Sequence, residues 1–448
     1  MSQQDLKGLV EKLAQHGDLV EISQPVNLSH GLANVAHAIE ERYGVATLFH
    51  NLEGHQDASV LSGLASTYGR VAFSLGIDLP VLKRRLVEAL KEPHRPSYRK
   101  EDFLDRATVS GGDVDLLEVP IPTHAPGDAG PYITAGIVAA RDPETGRMNY
   151  SYHRMLRLDS THLSIMINPG RHLDDYRRAA EKAGVTMAVA IVIGVHPAIM
   201  LAAAMRYAGD ELEIAGSLLD EPIEAIPCLL SDILVPAFSE YILEGRIDPV
   251  DRVEEGPMGE FTGLYGAKSQ EYLLEITSIS RRRDPIYQTI LPAGKEHRML
   301  GSTLPREPLL LNAALQISPE VKDVYIPPYG SGFLAVVVFD PNYEGEAKNV
   351  ALAALSAYST IKSVIVVNSD INVYDPEELI WAVLTRANLN KDLSILPHLL
   401  GHPMDPTAVE GLVTKSVLDA TQLPGRPSFD RVIYEHPDDL DRYLPSQD

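Results

Sequence analysis

The first hundred residues alternate between stretches with helical spacing of apolar positions and short stretches typical of strands. Residues 6–16 predict an amphipathic helix, residues 18–22 predict a strand, and a second helix leads to a strand at 46–52. A segment rich in Gly, Pro and Asp begins at residue 111 and indicates a boundary. We therefore predict a small N-terminal α/β domain over residues 1–115.

From about residue 131 to 300 the pattern is dominated by stretches typical of strands. The segments "ITAGIVAAR", "MNYSYHRMLRL" and "HLSIMIN", separated by turn sequences, predict a meander of antiparallel strands. One helix is expected just after His172, with Asp174 as its N-cap. The central domain, predicted over residues 116–305, is thus dominated by strands.

The longest apolar stretch runs from Val185 to Met205. Gly194, His196 and Pro197 interrupt it, so it predicts a buried strand, a turn and a helix instead of a membrane span. The first residues, "MSQQDLKGLVEKL", are polar and amphipathic, unlike a signal peptide. We expect a soluble, cytoplasmic protein that does not enter a membrane.

The C-terminal third, predicted as a domain over residues 306–448, changes character. Apolar strands at "FLAVVVFD" and "SVIVVNSDI" alternate with amphipathic helices at "EGEAKNVALAALSAY" and "DPEELIWAVLTRA". This alternation is typical of a parallel, doubly wound sheet. The chain as a whole is therefore predicted to have an α/β (α+β) fold in three domains.

The charge balance limits the partners. The 448 residues include 62 acidic and 39 basic side chains, a net charge of −23, so most of the surface repels nucleic acid and anionic membranes. A phosphate or carboxylate ligand must therefore be neutralised locally, by arginine or by a divalent cation. The single cysteine, Cys228, excludes an internal disulfide.

Several common catalytic motifs are missing from the sequence. It has no Walker loop, no GxGxxG after a strand, and neither HExxH nor GxSxG. It does have a carboxylate pair, Glu255 and Glu260, in a Gly/Pro loop, and Arg154 in an aromatic strand. The pair can carry a proton if burial raises one pKa, and the arginine can orient a carboxylate bidentately. The alternatives are a solvated acidic turn and a surface arginine.

Asn149, His172 and Glu211 combine an amide, an imidazole and a carboxylate. Such mixed ligation suits Mg²⁺ or Mn²⁺ with phosphate oxygens completing the shell, and does not suit tetrahedral zinc. Taken singly, each of the three is more often structural. Asn149 and Arg154 are an odd number of positions apart, so a regular strand directs them to opposite faces. They can line one site only if a bulge or a strong twist intervenes.

Five motifs in a fixed order are similar to those of the UbiD family of prenylated-FMN-dependent decarboxylases. They are N-x4-R at Asn149–Arg154, RH at Arg171-His172, DExxxAG at Asp210–Gly216, VPAxxExxLEG at Val235–Gly245 and EGPxGE at Glu255–Glu260. The resemblance extends over nearly the whole chain. It implies an N-terminal α/β domain, a central flavin-binding domain like a split β-barrel, and a C-terminal α/β domain used in oligomerisation.

The resemblance also implies which residues bind the cofactor. Asn149, His172 and Glu211 match positions that hold Mn²⁺, often with K⁺ nearby, against the phosphate of prenylated FMN. This metal would neutralise a phosphate on an acidic protein. Further positions where relatives line the cofactor are Tyr152, His153, Arg154, Met166 and Arg171.

The reaction implied by the resemblance is a reversible, non-oxidative decarboxylation through a transient adduct with prenylated FMN. Arg154 would orient the substrate carboxylate, Glu255 would support it, and Glu260 would protonate the carbon after CO2 leaves. His297 and Arg306 lie where relatives shape the substrate pocket, and cationic groups there suit a ring with a second carboxylate, as in furan dicarboxylate decarboxylases. Pyrrole, indole, phenolic and non-aromatic α,β-unsaturated acids stay open as substrates.

The family also implies partners: a flavin prenyltransferase that supplies the cofactor, and further copies of the chain in a homo-oligomer (dimer or hexamer). Three other functions stay open at this point. The first is a carboxylase, or one component of a carboxylating complex, on the same scaffold. The second is a metal-dependent hydrolase that works without flavin. The third is a non-catalytic flavin-binding or metal-binding protein, against which the presence of Arg154 and Glu260 argues.

Overall fold

The computed structural model describes residues 2–99, 106–424 and 432, and it has a mixed α/β fold. Its first helix confirms the prediction for residues 6–16. Asp5 begins this helix, because its side chain accepts a hydrogen bond from the backbone N–H of Lys7, and Gly17 ends it at φ +85°. The elements of this N-terminal part are α1 (Leu6–His16), β1 (Leu19–Ile22), α2 (Gly31–Tyr43), β2 (Ala46–Phe49), β3 (Ser59–Ser62), α3 (Tyr68–Ser74), α4 (Leu82–Ala89), β4 (Ser97–Tyr98) and β5 (Arg106–Ser110).

The central part is dominated by strands, as predicted. Nine of the described strands form one curled, antiparallel half-barrel in the order β6-β9-β10-β15-β14-β11-β7-β8, with β5 paired to β15. The elements of the central part are β6 (Tyr132–Ile133), β7 (Ile137–Arg141), β8 (Met148–Tyr152), β9 (Met155–Arg157), β10 (His162–Ile165), α5 (His172–Ala183), β11 (Met187–Ile193), α6 (Pro197–Ala204), α7 (Glu211–Leu219), β12 (Glu224–Pro227), β13 (Leu234–Pro236), β14 (Tyr241–Glu255), β15 (Ser269–Arg282), β16 (Ile286–Thr289) and α8 (Lys295–Arg298).

Strand β11 shows why the half-barrel is apolar on both faces. Val189, Ile191 and Ile193 pack into one buried core, while the alternate residues Ala190 and Val192 pack into another. Both sets are therefore apolar, and the strand reads as a continuous hydrophobic run. The predicted strand, turn and helix in this stretch are confirmed by β11 and α6. Within the described ranges, none of the helices combines the length and the apolar character that crossing a bilayer requires.

Helix α5 begins at His172 itself, so the prediction that Asp174 caps it is wrong. Arg171 precedes the helix in an extended conformation. The Asp174 carboxylate lies inside the first turn, where it accepts a hydrogen bond from Gly170 N at 3.0 Å and pairs with Arg177 at 2.9 Å. His172 consequently stands at the helix N-terminus, at the edge of the half-barrel.

A four-stranded sheet in the order β1-β2-β3-β16 links the N-terminal and central parts. Strand β16 runs parallel to β3, with Ile286 opposite Ser59 and Thr289 opposite Ser62, although the whole half-barrel separates them in sequence. Two strands of the N-terminal part also pair with strands of the central part: β4 pairs with β12, and β5 pairs with β15. The domain limits drawn from the sequence at 115/116 and 305/306 stay predictions.

The C-terminal part confirms the doubly wound prediction and corrects one detail. Its sheet has the order β17-β18-β19-β21-β20, with α9 and α10 packed on one face and α11 on the other. The three inner strands are parallel, but both edge strands are antiparallel, because β17 and β20 join their neighbours by loops without a crossover helix. The elements are α9 (Glu307–Ile317), β17 (Asp323–Tyr325), β18 (Leu334–Val338), α10 (Glu346–Ala357), β19 (Ser363–Val367), α11 (Pro376–Arg386), α12 (Leu389–Asp392), β20 (Leu393–Leu400) and β21 (Leu412–Ala420).

Candidate active site

Arg154 lies in a corner between two strands. Strand β8 ends at Tyr152 and β9 begins at Met155, so His153 and Arg154 connect them. This break in the strand brings Arg154 to the same cavity as Asn149. On a regular strand, the odd spacing of Asn149 and Arg154 would direct them to opposite faces. A bulge or a strong twist was expected to overcome this, but the structure has a break between two strands instead.

Arg154 is held between two carboxylates. Its Nη2 donates to Glu255 Oε2 at 2.7 Å, and its Nη1 donates to Glu260 Oε1. Glu255 is the last residue of β14 and its side chain is fully buried, whereas Glu260 lies in the following loop with 14% of its side chain exposed. The Arg154 side chain is 10% exposed. Burial to this extent excludes the solvated acidic turn and the surface arginine; the exposed acid of this segment is Glu254, at 61%.

The two carboxylates differ in their surroundings. Burial raises the pKa of Glu260 above the ordinary glutamate value, Arg154 opposes this rise, and the charge of Glu255 adds to it. Close to Glu255 lies Tyr132, whose pKa is raised by burial first and then by that carboxylate. Glu260 therefore combines a raised pKa with a position that faces the cavity.

Asn149, Glu211 and His172 meet at one point, as the sequence predicted. Asn149 Nδ2 lies 2.9 Å from Glu211 Oε1 and 3.4 Å from His172 Nδ1, and Tyr150 N donates to Glu211 Oε2 at 2.8 Å. Burial raises the pKa of Glu211 to about 8, despite the hydrogen bonds from Tyr150 and Asn149 that lower it. Such a carboxylate favours either a proton or a cation beside it. In the part of the chain that the structure describes, no three His, Cys, Asp or Glu side chains are grouped for a metal; the present set has two, plus an amide.

Two helix N-termini point to this group. His172 is the first residue of α5, and Glu211 is the first residue of α7, which Asp210 caps through Leu212 N at 2.8 Å. The N-terminus of a helix carries unsatisfied N–H groups and a partial positive charge. A phosphate is therefore well placed here once the negative charge of Glu211 is neutralised.

A short series of hydrogen bonds fixes the wall between the group formed by Asn149, His172 and Glu211 and the side chain of Arg154. His153 Nδ1 lies 2.7 Å from Met166 O, and its Nε2 lies 3.0 Å from Ser151 Oγ. Burial lowers the pKa of His153 to about 4, so the ring is neutral at neutral pH. The Tyr152 hydroxyl is buried without a hydrogen-bond partner among the described residues. This wall carries the residues that the sequence placed around the cofactor.

One cavity of about 370 Å³ brings these groups together. Every predicted site residue lines it except Glu255, which supports Arg154 from behind. The cavity also contains a cluster of cationic side chains, in which burial and the neighbouring charges of Arg306 and Arg206 lower the pKa of Arg171. The predicted residues on its wall are Asn149, Tyr152, His153, Arg154, Met166, Arg171, His172, Glu211, Glu260, His297 and Arg306.

Sequence reasoning missed part of this wall. Arg206 and Phe261 stand next to predicted motifs, so their position was a usable signal. His402 and Met404 reach the cavity from the loop after β20, and nothing in their sequence pattern pointed to this site. The unpredicted lining includes Thr134, Arg206, Met258, Phe261, Ile290, Leu300, His402 and Met404.

Comparison with protein-family models accounts for most of the chain. Three models match consecutively: the 3-octaprenyl-4-hydroxybenzoate carboxy-lyase N-terminal domain over residues 10–90, its Rift-related domain over 98–295, and its C-terminal domain over 299–420. The models are three parts of one enzyme, and they occur here in that order.

Relatives that are compared one by one also match this chain over nearly its whole length. The anhydromevalonate phosphate decarboxylase of Methanothermobacter thermautotrophicus is 36% identical over 432 residues, covering 95% of this chain and 99% of the relative. The gallate decarboxylase of Lactiplantibacillus plantarum is 31% identical, with coverages of 90% and 89%. The structure of the UbiD-class enzyme HmfF from Pelotomaculum thermopropionicum in complex with FMN is 36% identical, with a TM-score of 0.92 and 98% of both chains covered. An evolved dimeric form of HmfF in complex with prFMN has a TM-score of 0.88 at 35% identity, with the same coverages.

Proposed function

Since this chain belongs to the UbiD family and is a UbiD-type carboxy-lyase, we propose that it decarboxylates a small unsaturated or aromatic acid with a second anionic group, using prenylated FMN. The observation that carries the proposal is the buried Arg154–Glu260 pair, backed by Glu255, in the wall of a cavity that Asn149 and Glu211 also line.

The side chains of the cavity fit a phosphorylated flavin. Two helix N-termini and the cations Arg171 and Arg206 suit a phosphate, and the wall leaves one buried polar atom, the Tyr152 hydroxyl, in need of a partner. When bound, prenylated FMN supplies an electron sink for the carbanion that loss of CO2 from an sp² carbon would otherwise leave localised. Amino-acid side chains cannot delocalise this charge, so the cofactor must carry this part of the chemistry.

Three side chains of this protein then have separate roles. Arg154 offers fixed guanidinium donors to the substrate carboxylate, and Glu255 holds Arg154 in place from the buried side. Glu260, whose pKa burial raises, has the role of giving a proton to the carbon atom from which CO2 has left. The positioning of the carboxylate and the protonation of the carbon are therefore assigned to adjacent groups.

Asn149, His172 and Glu211 are proposed to hold Mn²⁺. The support is the chemistry of the donor set and the burial of the Glu211 carboxyl, which favours either a proton or a cation beside it. The neighbouring K⁺ rests on the family resemblance alone.

The substrate proposal rests on the cationic end of the cavity. Arg306 supplies this charge and lies 5.3 Å from the Tyr358 ring in a cation–π contact that fixes its direction. His297, which the sequence suggested as a second cation, also lines this end but is neutral, because burial lowers its pKa to about 4. A relative that is 36% identical acts, by its name, on a phosphorylated acid. An acid with a carboxylate for Arg154 and a second anionic group for this end is the substrate class we propose.

We also propose a cytoplasmic homo-oligomer supplied with cofactor by a flavin prenyltransferase. The C-terminal part exposes several large apolar side chains, among them Ile380, Leu384, Ile395 and Leu400, and such a surface is typical of an interface. The evolved form of HmfF is dimeric by description.

The first experiment is co-expression with a flavin prenyltransferase and manganese, followed by a UV–visible spectrum and mass determination of the extracted ligand. A prenylated FMN mass, together with CO2 release from furan-2,5-dicarboxylate, would support the proposal. Folded, metal-replete protein that contains no flavin would contradict it and would favour a metal-dependent hydrolase.

Glu211→Gln is expected to lower the Mn²⁺ affinity at least tenfold and to lower flavin content in parallel, because the variant loses the anionic ligand. Metal analysis and flavin absorbance of the purified protein measure both. Glu213→Gln is the control, since Glu213 lies two residues further along the same helix, on the opposite side, and accepts a hydrogen bond from the Tyr207 hydroxyl. Equal manganese in the Glu211→Gln variant and the unmodified protein would contradict the assignment.

The pH dependence of turnover follows from Glu260. Only its protonated form donates, and because burial raises its pKa, activity should persist above the ordinary glutamate range of about 4.3 and then fall as pH rises through the raised pKa. The measurement is kcat between about pH 5 and pH 9, with flavin absorbance recorded at each pH to control for cofactor loss. A kcat that rises over this interval would contradict the role.

A further inference from the structure

A cluster of charged side chains outside the cavity joins the N-terminal part to the C-terminal part. The Nζ atom of Lys83, in α4, lies 3.0 Å from Asp323 Oδ1 in β17 and 3.4 Å from Oε2 of Glu307, the first residue of α9. It also donates to Val324 O at 2.9 Å. The Lys83 side chain is 14% exposed and that of Glu307 only 1%. One largely buried ammonium group therefore connects α4 to two elements of the C-terminal part.

Three tyrosine rings surround the same ammonium group. Its Nζ atom lies between 5.2 and 5.7 Å from the three ring centres. Tyr68 comes from α3, whereas Tyr325 and Tyr374 come from the C-terminal part. A cation over an aromatic ring is attracted to it, and the attraction is stronger away from water. Burial lowers the pKa of Lys83, but the neighbouring carboxylates outweigh burial and raise it above its ordinary value, so the group stays charged.

The Glu307 carboxylate has two further hydrogen-bond donors. The Tyr68 hydroxyl donates to Oε1 at 2.6 Å, and Ile326 N donates to the same oxygen at 2.9 Å. Burial raises the pKa of Glu307, and Lys83 and these two hydrogen bonds oppose the rise. Donors on Oε1 and the Lys83 ammonium beside Oε2 hold the carboxylate from both ends. The first residue of α9 is thus fixed to the N-terminal part.

The residue before Glu307 is Arg306, which lines the cavity. Leu309 N donates to Arg306 O at 3.0 Å, so Arg306 belongs to the first turn of the same helix. Pro308 limits the backbone rotation available within this turn. Arg306 and Glu307 therefore move together, and misplacing a substrate-holding group by about 1 Å can lower a rate by about a hundredfold.

We propose that Lys83 is a positioning residue for the active site: by holding Glu307 and Asp323 it fixes the start of α9, and thereby the position of Arg306 in the cavity. This inference rests on the proposed function, in which Arg306 binds the second anionic group of the substrate. The described lining of the cavity begins at Thr134 and contains no residue of α3 or α4. Lys83 therefore acts from a distance, and it gives the N-terminal part a role in the reaction.

The first measurement is steady-state kinetics of the prenylated-FMN holoenzyme with furan-2,5-dicarboxylate. Lys83→Met is expected to raise KM by roughly threefold to thirtyfold, the usual range for coupling between a remote residue and a site. The value of kcat should change less than about twofold, because Arg154 and Glu260 are untouched. Lys83→Arg, which keeps a cation beside both carboxylates, should recover most of the loss.

Two further variants control for a loss of folding. Tyr68→Phe removes only the hydroxyl that donates to Glu307, and it should raise KM in the same direction by a smaller factor. Lys322→Met is the matched control, because Lys322 is 51% exposed and pairs with the exposed Glu320 at 3.4 Å. A KM rise of the same size in the Lys322→Met variant would contradict the proposal.

A double-mutant cycle determines whether Lys83 acts through Arg306. If it does, Lys83→Met has little further effect on KM when Arg306 has already been replaced by methionine. A rise that persists in full in the Arg306→Met background would show that Lys83 only contributes to stability.

Hydrogen exchange of the full chain separates this inference from the proposed function, because it needs no substrate. Leu309 N and Leu310 N both donate to Arg306 O, and Lys83→Met should speed exchange at these amides while leaving α5 unchanged. If furan-2,5-dicarboxylate is neither bound nor turned over, the proposed substrate class fails and the exchange result alone decides the role of Lys83. Unchanged exchange at the start of α9 would overturn it.

Discussion

Glu260→Gln is expected to lose decarboxylation by about two to four orders of magnitude while keeping its bound flavin. The substitution removes the proton that Glu260 is proposed to give to the reacting carbon, and removal of a general acid typically costs this much. The amide oxygen can still accept from Arg154, so the positioning of the guanidinium should survive. The measurement is single-turnover CO2 release from furan-2,5-dicarboxylate, alongside the flavin spectrum.

The matched control is Glu254→Gln, six positions earlier in the same segment. Glu254 is exposed and pairs with Lys268 at 2.7 Å, so this variant should keep full activity. If Glu260→Gln turned over at the rate of the unmodified protein, the proton would have to come from another group, and the role assigned to Glu260 would be wrong.

Arg154→Met is expected to destabilise the protein by about 3–5 kcal/mol as well as to inactivate it. Glu255 is fully buried, and without Arg154 its charge has no compensating cation at 2.7 Å; breaking a buried pair from one side typically costs this much. The free energy of unfolding, from urea denaturation at neutral pH with coincident fluorescence and circular dichroism, measures the effect.

Two further variants locate the cause. Adding Glu255→Gln to Arg154→Met removes the uncompensated charge, so most of the lost stability should return without the activity. Arg84→Met should cost less than about 0.5 kcal/mol, because Arg84 is 72% exposed and pairs with Glu88 only at 3.6 Å. An Arg154→Met variant as stable as the Arg84→Met variant would show that Glu255 is neutral in the folded protein.

Local sequence patterns predicted many helices and strands correctly, because the periodicity of apolar residues depends only on residues close together in the chain. The helix at 6–16 and the strand, turn and helix after Val185 are examples. The same logic failed at Asp174, where pairing with Arg177 competes with helix capping. It also could not place Asn149 and Arg154 together, because the strand break between Tyr152 and Met155 depends on how the half-barrel curls.

The candidate active site also contains residues that the sequence predicted and residues that it did not. The residues that carry recognisable motifs were found from the sequence, and the structure groups Asn149, His172 and Glu211 as expected. His402 and Met404 were not found, because they reach the cavity only after the C-terminal sheet has folded against the half-barrel. Such long-range placement is a property of tertiary packing, and no local spacing encodes it.

The parallel pairing of β16 with β3 also constrains the order of events during synthesis. Until residues 286–289 have left the ribosome, β3 has an open hydrogen-bonding edge, which is a site for mispairing between nascent chains. The sheet formed by β1, β2, β3 and β16 therefore cannot be completed before the half-barrel is synthesised. Its completion requires the half-barrel to bring β16 back to β3. High contact order of this kind favours slow, concerted folding of the two parts over independent folding of each.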